Sequence, residues 1–155
     1  MQRTIRLLLK PTPEQASILL DTMREHAACF NAVCDYGWEH AEKNGVELHK
    51  ATYYPLRAEH PTLPAQLVCA SRVRATESVK SALTHKKKGH KVSCPHSDLP
   101  PIRYDARTYR VRPDHSSISL STTGGRTVFS IRIPDFFKPT LEASAGFDSA
   151  DLIRR

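Results

Sequence analysis

The sequence has no CxxC cysteine pair and no long apolar run, and both absences limit what the protein can be. No run approaches the about 20 apolar residues needed to cross a bilayer, and the first residues lack the apolar core of a secretory signal. The four cysteines form no CxxC pair, so free thiols in a reducing compartment are the simplest interpretation. We therefore expect a cytoplasmic protein without membrane contact, built from one or two small units within 155 residues.

Motifs that carry catalysis are also missing. The sequence contains no glycine-rich phosphate loop, no nucleophile elbow and no pair of carboxylates at a promising spacing. The only clustered soft metal ligands have spacings that match no standard zinc pattern: His85, His90, Cys94 and His96. We therefore expect no metal, no cofactor and no catalytic residue in this chain.

Positive charge is present in excess, and it is confined to one part of the chain. The formal net charge is +7. Residues 86–134 hold ten Lys or Arg against three Asp or Glu, whereas the segments on either side are close to neutral. Such a localised surplus favours a face that binds a polyanion, because phosphate contacts supply most sequence-independent affinity for nucleic acids. A solvated basic surface without a ligand is the alternative.

The strongest structural pattern lies in residues 102–134. Apolar and polar side chains alternate there, and Gly124 with Gly125 can form a tight hairpin. The pattern predicts a basic meander of three strands, at about 102–111, 116–122 and 127–133. The first of these changes phase, which we interpret as a bulge near Arg107. Residues 4–10 predict a further strand that needs partners elsewhere in the chain.

Helices are predicted between the first strand and the meander. Thr12, Pro13 and Gln15 form a clear helix start with a capping box. Apolar residues then recur every three or four positions until Asn44–Gly45, which predicts one long helix. We expect a helical turn or two within 50–59 and a second substantial helix at about 64–84. On it, one stripe of small residues suits packing on a partner helix: Val68, Ser71, Ala75, Val79 and Ala82. Arg72, Thr76 and Lys80 lie one turn apart on another side, with Arg74 nearby, and suit contact with phosphates. Solvated helix cations without a ligand are the alternative.

Three aromatic rings interleave with arginines on the meander: Tyr104, Tyr109 and Phe129. Such rings can stack on bases while guanidinium groups hold the backbone. The alternative is that at least two of the three rings belong to the core.

The order of these elements resembles the N-terminal part of the OrfB/TnpB family, which are transposon-encoded RNA-guided nucleases related to type V CRISPR effectors. Four segments carry the resemblance: LLLKPTPEQ, CFNAVCDYGWEHA, LPAQLVCASRVRATESVKSA and IRYDARTYRVRPDHSSISLSTTGGRTVFSIRI. The most specific piece is 102–126. Together the segments span nearly the whole chain, although none of them is a motif of chemistry.

The resemblance implies an α+β fold. A small OB-like antiparallel β-barrel or open sheet would form a wedge-like domain from residues 1–11 and 101–155, incomplete at its C-terminal end. A helical recognition domain, residues 12–85, would be inserted between them, followed by a basic linker at 86–100. This arrangement agrees with a first strand that must pair with strands from beyond the helices.

The resemblance also implies binding of structured guide RNA and double-stranded DNA. In such proteins base pairing with the guide reads the target, while the protein holds backbones and a few base edges. The catalytic half of the family would follow Arg155, so a truncated transposase-like protein that binds without cleaving is expected. Alternatives are a subunit whose partner is a separate nuclease chain, a nuclease-less DNA-binding regulator, and a gene remnant.

The candidate nucleic-acid-binding residues are the cations of the second helix, the linker and the meander, with one aromatic ring. They are Arg72, Arg74, Lys80, Lys86, Lys87, Lys88, Lys91, Arg103, Tyr104, Arg107, Arg110 and Arg126.

Overall fold

Two antiparallel sheets and three long helices form the α+β fold of Met1–Arg155 in the computed structural model. The larger sheet is open, with strand order β1-β5-β4-β3, and the smaller one pairs β2 with β6. No helix is both long and apolar enough to cross a membrane. The elements are β1 Leu8–Lys10, α1 Pro13–Glu39, α2 Gly45–Glu59, α3 Ala65–Lys87, β2 Ile102–Tyr104, β3 Tyr109–Val111, β4 Ser117–Thr122, β5 Gly125–Arg132, a 3₁₀ turn Asp135–Phe137, α4 Lys138–Glu142 and β6 Ala150–Leu152.

The predicted capping box at the start of α1 is confirmed. The Gln15 amide N–H donates to Thr12 Oγ1 (3.2 Å), and the Thr12 amide N–H donates to Gln15 Oε1 (3.1 Å). Gln15 Nε2 also donates to the Val128 carbonyl oxygen (2.8 Å). Gln15 thus connects the start of α1 to β5, two residues from Ser130, where the pairing of β1 with β5 ends.

Two helix boundaries differ from the predictions. Helix α1 ends at Glu39, before the expected end at Asn44–Gly45. Asn44 instead begins α2, because its Oδ1 accepts a hydrogen bond from the Val46 amide (2.9 Å). Helix α2 then runs for 15 residues, longer than the predicted turn or two, and contains Pro55.

Helices α1 and α3 pack closely along the predicted stripe of small residues. Val68, Ser71, Ala75 and Val79 of α3 are buried. A Cβ atom at Gly37 of α1 would lie 3.1 Å from Val79 Cγ1, so glycine allows this close approach. The prediction of a packing face on α3 is therefore confirmed.

The first strand pairs with a strand from beyond the helices, as predicted. Strand β1 is antiparallel to β5, with Leu9 opposite Ile131. Strands β3, β4 and β5 follow one another as a meander, and Gly125 takes a φ of 86° in the β4–β5 turn. That turn needs a residue that tolerates the left-handed region, which glycine does without steric cost.

The predicted single strand at 102–111 is wrong. The chain forms β2, turns at Asp105–Thr108 and then forms β3 in the other sheet. The Thr108 amide donates to the Asp105 carbonyl oxygen (3.0 Å), which closes the turn. The phase change near Arg107 marks this break and not a bulge. Strand β2 pairs with β6 (Ala150–Leu152), so the C-terminal end, where the wedge-like domain was expected to be incomplete, contributes a paired strand.

The basic linker begins later than predicted and lies against α1. Helix α3 continues to Lys87, past the expected end at 84. Farther along, Asn31 and Ser97 exchange two hydrogen bonds of 3.0 Å. The segment is irregular, but these contacts fix it to the helical layer.

Candidate nucleic-acid interface

One side of the four-stranded sheet faces away from the core, and we call it the outer sheet face. Side chains alternate along each strand, and residues opposite one another in register point to the same side. Phe129 and Ile118 are buried on the inner side, so their neighbours in each strand lie on the outer face. The outer sheet face comprises Leu8, Lys10, Arg110, Ser117, Ser119, Ser121, Arg126, Val128, Ser130 and Arg132.

The outer sheet face carries positive charge without any carboxylate from its own strands. None of β1, β3, β4 and β5 contains an Asp or Glu. Its four cations are all exposed: Lys10, Arg110, Arg126 and Arg132. Between them, hydroxyl donors are supplied by Ser119, Ser121 and Ser130. Exposed cations and hydroxyl groups are the side chains that most often contact phosphate oxygens.

Arg107 joins this face at one end. The Arg126 Nη2 donates to the Arg107 carbonyl oxygen (2.9 Å), across the end of the meander. The Arg107 amide donates to Asp105 Oδ1 (2.9 Å), which fixes the turn. The structure therefore brings Arg107, Arg110 and Arg126 together, three of the residues proposed from the sequence.

Arg103 lies on the smaller sheet and has an acidic partner. Its Nε and Nη2 donate to the two carboxylate oxygens of Asp151, at 3.0 and 3.2 Å. The hydrogen bond and charge of Asp151 raise the pKa of Arg103, and Glu77 adds to the effect. Its charge is offset locally, so the structure separates Arg103 from the arginines of the outer sheet face.

Tyr104 does not fit the predicted role as a stacking ring. It is 0% exposed, and its hydroxyl donates to the Ser121 carbonyl oxygen (3.0 Å). Burial raises the pKa of this phenol. Tyr109 and Phe129 are buried as well. All three rings are core residues, since each lies on the inner phase of its strand, and a buried ring cannot stack on a base.

The predicted lysines form a separate exposed cluster at the end of α3: Lys80, Lys86, Lys87, Lys88 and Lys91. Lys86 Nζ lies 4.7 Å from the centroid of the Trp38 ring, within range of a cation–π interaction. Cations in the last turn of a helix also interact favourably with its dipole. These lysines therefore have a structural role available besides binding an anion.

Arg72 and Arg74, the other two predicted cations of α3, are half-buried within the helical layer. Arg74 adds to the effect of burial on His26, whose pKa is lowered to about 4, with desolvation as the larger cause. Arg72 has a buried Nε without a hydrogen-bond partner. The structure does not place these two arginines on the outer sheet face.

Sequence reasoning omitted Lys10 and Arg132 from the candidate residues. Lys10 lies opposite Ser130, and Arg132 lies opposite Leu8, so both belong to the outer sheet face. Alternation in the first strand already placed Lys10 on a polar side. Its proximity to the meander required the β1–β5 register, which the sequence does not specify.

No group of three or more His, Cys, Asp or Glu side chains is arranged to hold a metal ion. His85 and His90 meet edge to face, with ring centroids 5.6 Å apart.

Comparison with known proteins found no family model that matches this chain and no match among curated proteins. The site is therefore interpreted from its own residues.

Proposed function

We propose that this chain is a nucleic-acid-binding module that holds structured guide RNA and double-stranded DNA without cleaving either. The observation that carries the proposal is the outer sheet face, on which four cations and several serine hydroxyls occur without a carboxylate from the same strands. Phosphate backbones match that surface in charge and in hydrogen-bonding capacity.

The resemblance to the N-terminal part of the OrfB/TnpB nucleases supports the same proposal. In the proposed complex, base pairing between guide and target determines which sequence is recognised, while the outer sheet face binds the phosphate backbone. A separate nuclease chain would supply any cutting. The cellular compartment in this proposal is the cytoplasm, and the four free cysteines are in keeping with a reducing environment.

Salt-dependent binding tests the proposal. Affinity of the whole chain for a short DNA duplex and for an RNA hairpin would be measured by fluorescence anisotropy over a series of KCl concentrations. We expect log K to fall linearly with log salt concentration, because bound phosphates release counterions. Arg126→Gln should weaken binding to any sequence and lower the slope by about 1.

The matched control is Arg24→Gln, which removes one exposed positive charge from α1. It should change the slope much less than Arg126→Gln does. Absence of salt-dependent binding to both nucleic acids would refute the proposal. Equal effects of the two variants would show that the outer sheet face is not the binding surface.

A further inference from the structure

An open surface depression of about 520 Å³ lies where α2 begins, and we call it the α2 pocket. The N–H groups of Val46 and Glu47 already donate to Asn44 Oδ1, so any ligand would depend on side chains. The lining residues are Asn44, Gly45, Val46, His49, Lys50 and Arg72.

Arg72 reaches this pocket from α3 without a partner for its charge. Its Nε has no exposed surface and no hydrogen bond, and none of the ion pairs in the structure includes it. A Cβ atom at Gly45 would lie 3.1 Å from Arg72 Nη1, so glycine leaves room for the guanidinium group. A guanidinium is always charged, and leaving it half-buried without an acceptor is costly. An anion in the pocket would give the terminal amino groups of Arg72 an acceptor.

Two further side chains of α2 can meet an anion. His49 has a buried Nδ1 without a hydrogen-bond partner. Lys50 pairs with Glu47 at 2.9 Å, but both side chains are more than half exposed, so the pair is weak and can rearrange. Glu42 lies nearby, and its Oε1 accepts from the Asn44 amide (2.7 Å).

Aromatic rings lead away from the pocket along α2. His49 stacks on Tyr53, with centroids 4.6 Å apart and planes inclined by 19°. Tyr53 meets Tyr54 edge to face at 5.2 Å, and Tyr54 is 78% exposed. Two ring-to-ring steps therefore connect the wall of the pocket to an exposed ring. An exposed tyrosine two ring contacts from a pocket lined by Arg72 suits a nucleotide, since bases stack on aromatic faces.

We propose that the α2 pocket holds the phosphate of an unpaired nucleotide whose base stacks on Tyr54. Arg72 and Lys50 bind the phosphate oxygens, and His49 lines the pocket beside them. This assignment rests on the proposed function and extends it, because it adds a single-stranded contact on the helical layer to the backbone contacts of the outer sheet face.

Titration of the whole chain with adenosine 5′-monophosphate, followed by NMR of the histidine and tyrosine rings, tests the site. We expect saturable shifts at His49 and Tyr54. Arg72→Gln should weaken binding by about tenfold or more, because charge-assisted hydrogen bonds are lost. Tyr54→Ala should weaken it by about fivefold or more, because the stacking surface is lost.

Lys50→Gln is a second variant, because Lys50 is exposed and its replacement leaves the core intact. It should weaken mononucleotide binding and leave the circular dichroism spectrum unchanged. Arg24→Gln serves as the charge-matched control and should bind the mononucleotide as the unmodified protein does.

Inorganic phosphate, used as a second probe, should bind less tightly than the mononucleotide. Equal affinity of the two probes would overturn the nucleotide assignment, because the base would then contribute nothing. Absence of shifts at His49 and Tyr54 would overturn the site itself and would show that water alone occupies the pocket. Either result would leave the duplex and hairpin measurements on the outer sheet face unaffected, so the two proposals can fail separately.

Discussion

The two sheets of this protein both present arginines on short antiparallel strands, yet they differ in the charge that they leave available. On the outer sheet face, Arg110 and Arg126 have no carboxylate within their own strands. On the smaller sheet, Arg103 lies directly opposite Asp151 and bonds to it through two donors. A cation counted in the sequence therefore leaves its charge available only where its cross-strand neighbour is not an acid.

The outer sheet face depends on the packing beneath it, and removing that packing should have the largest effect. Phe129 is fully buried on the inner side of β5. Phe129→Ala should destabilise the protein by about 3–5 kcal/mol, through lost burial and a residual cavity. Urea denaturation followed by circular dichroism measures the change.

The neighbouring variant Val128→Ala is its control, since Val128 is 48% exposed on the outer face. It should change stability by no more than about 0.5 kcal/mol. Similar losses for the two variants would contradict the assignment of inner and outer faces.

Lowering the pH should destabilise the protein through the helical layer. The strands of the outer sheet face contain no Asp, Glu or His that could titrate. His26 is buried with a pKa of about 4, below its ordinary value of 6.5. The unfolded chain therefore binds more protons between these values, and stability should fall as the pH drops from about 6.5 towards 4, by up to about 3 kcal/mol. Urea midpoints measured across this pH range check the slope.

His26→Leu should flatten that slope, because it removes the buried titrating group. An unchanged slope in the variant would assign the acid sensitivity to other residues.

A direct comparison of Arg110→Gln with Arg103→Gln should give a smaller but more specific effect. Arg110→Gln should lower the dependence of log K on log salt concentration by about 1, because one phosphate contact is lost. Arg103→Gln should lower it by less than half as much, because Asp151 already offsets that charge. Anisotropy titrations with the same DNA duplex give both slopes, and equal slopes would contradict the offset of the Arg103 charge by Asp151.

The smallest effect is expected from removing the acid itself. Asp151→Asn frees the charge of Arg103, whose side chain is 62% exposed. Exposed ion pairs contribute about 0–1 kcal/mol, so stability should change little. Affinity for the duplex should rise modestly at low salt. A fall in affinity would indicate that the pair itself orders the binding surface.

Local chemistry made part of the fold predictable. Thr12, Pro13 and Gln15 specify the start of α1 through contacts within one turn. Alternation in β4 and β5 placed Ile118 and Phe129 inside with serines outside, because the period of a strand is two residues. The packing face of α3 was equally visible, since small residues recur at helical spacing.

The errors arose where partners lie far away in the sequence. Asn44 followed by Gly45 can end a helix or begin one, and only packing decides between them. Arg103 and Asp151 are 48 residues apart, so their pairing depended on a strand whose partner the sequence did not reveal. Tyr104 looked available for stacking because it follows an arginine, although adjacent strand residues point to opposite sides.

The pairing of Leu9 with Ile131 has a consequence for how the molecule assembles. Strand β1 precedes all three long helices in the chain, and its partner β5 follows them. Contacts between residues so distant in the chain are slow to form, because closing a long loop costs entropy before any contact repays it. The helices can fold first, and the backbone N–H and C=O groups of β1 stay exposed until β5 pairs with them. Completion of the sheet is thus expected to be the late, rate-limiting step of folding.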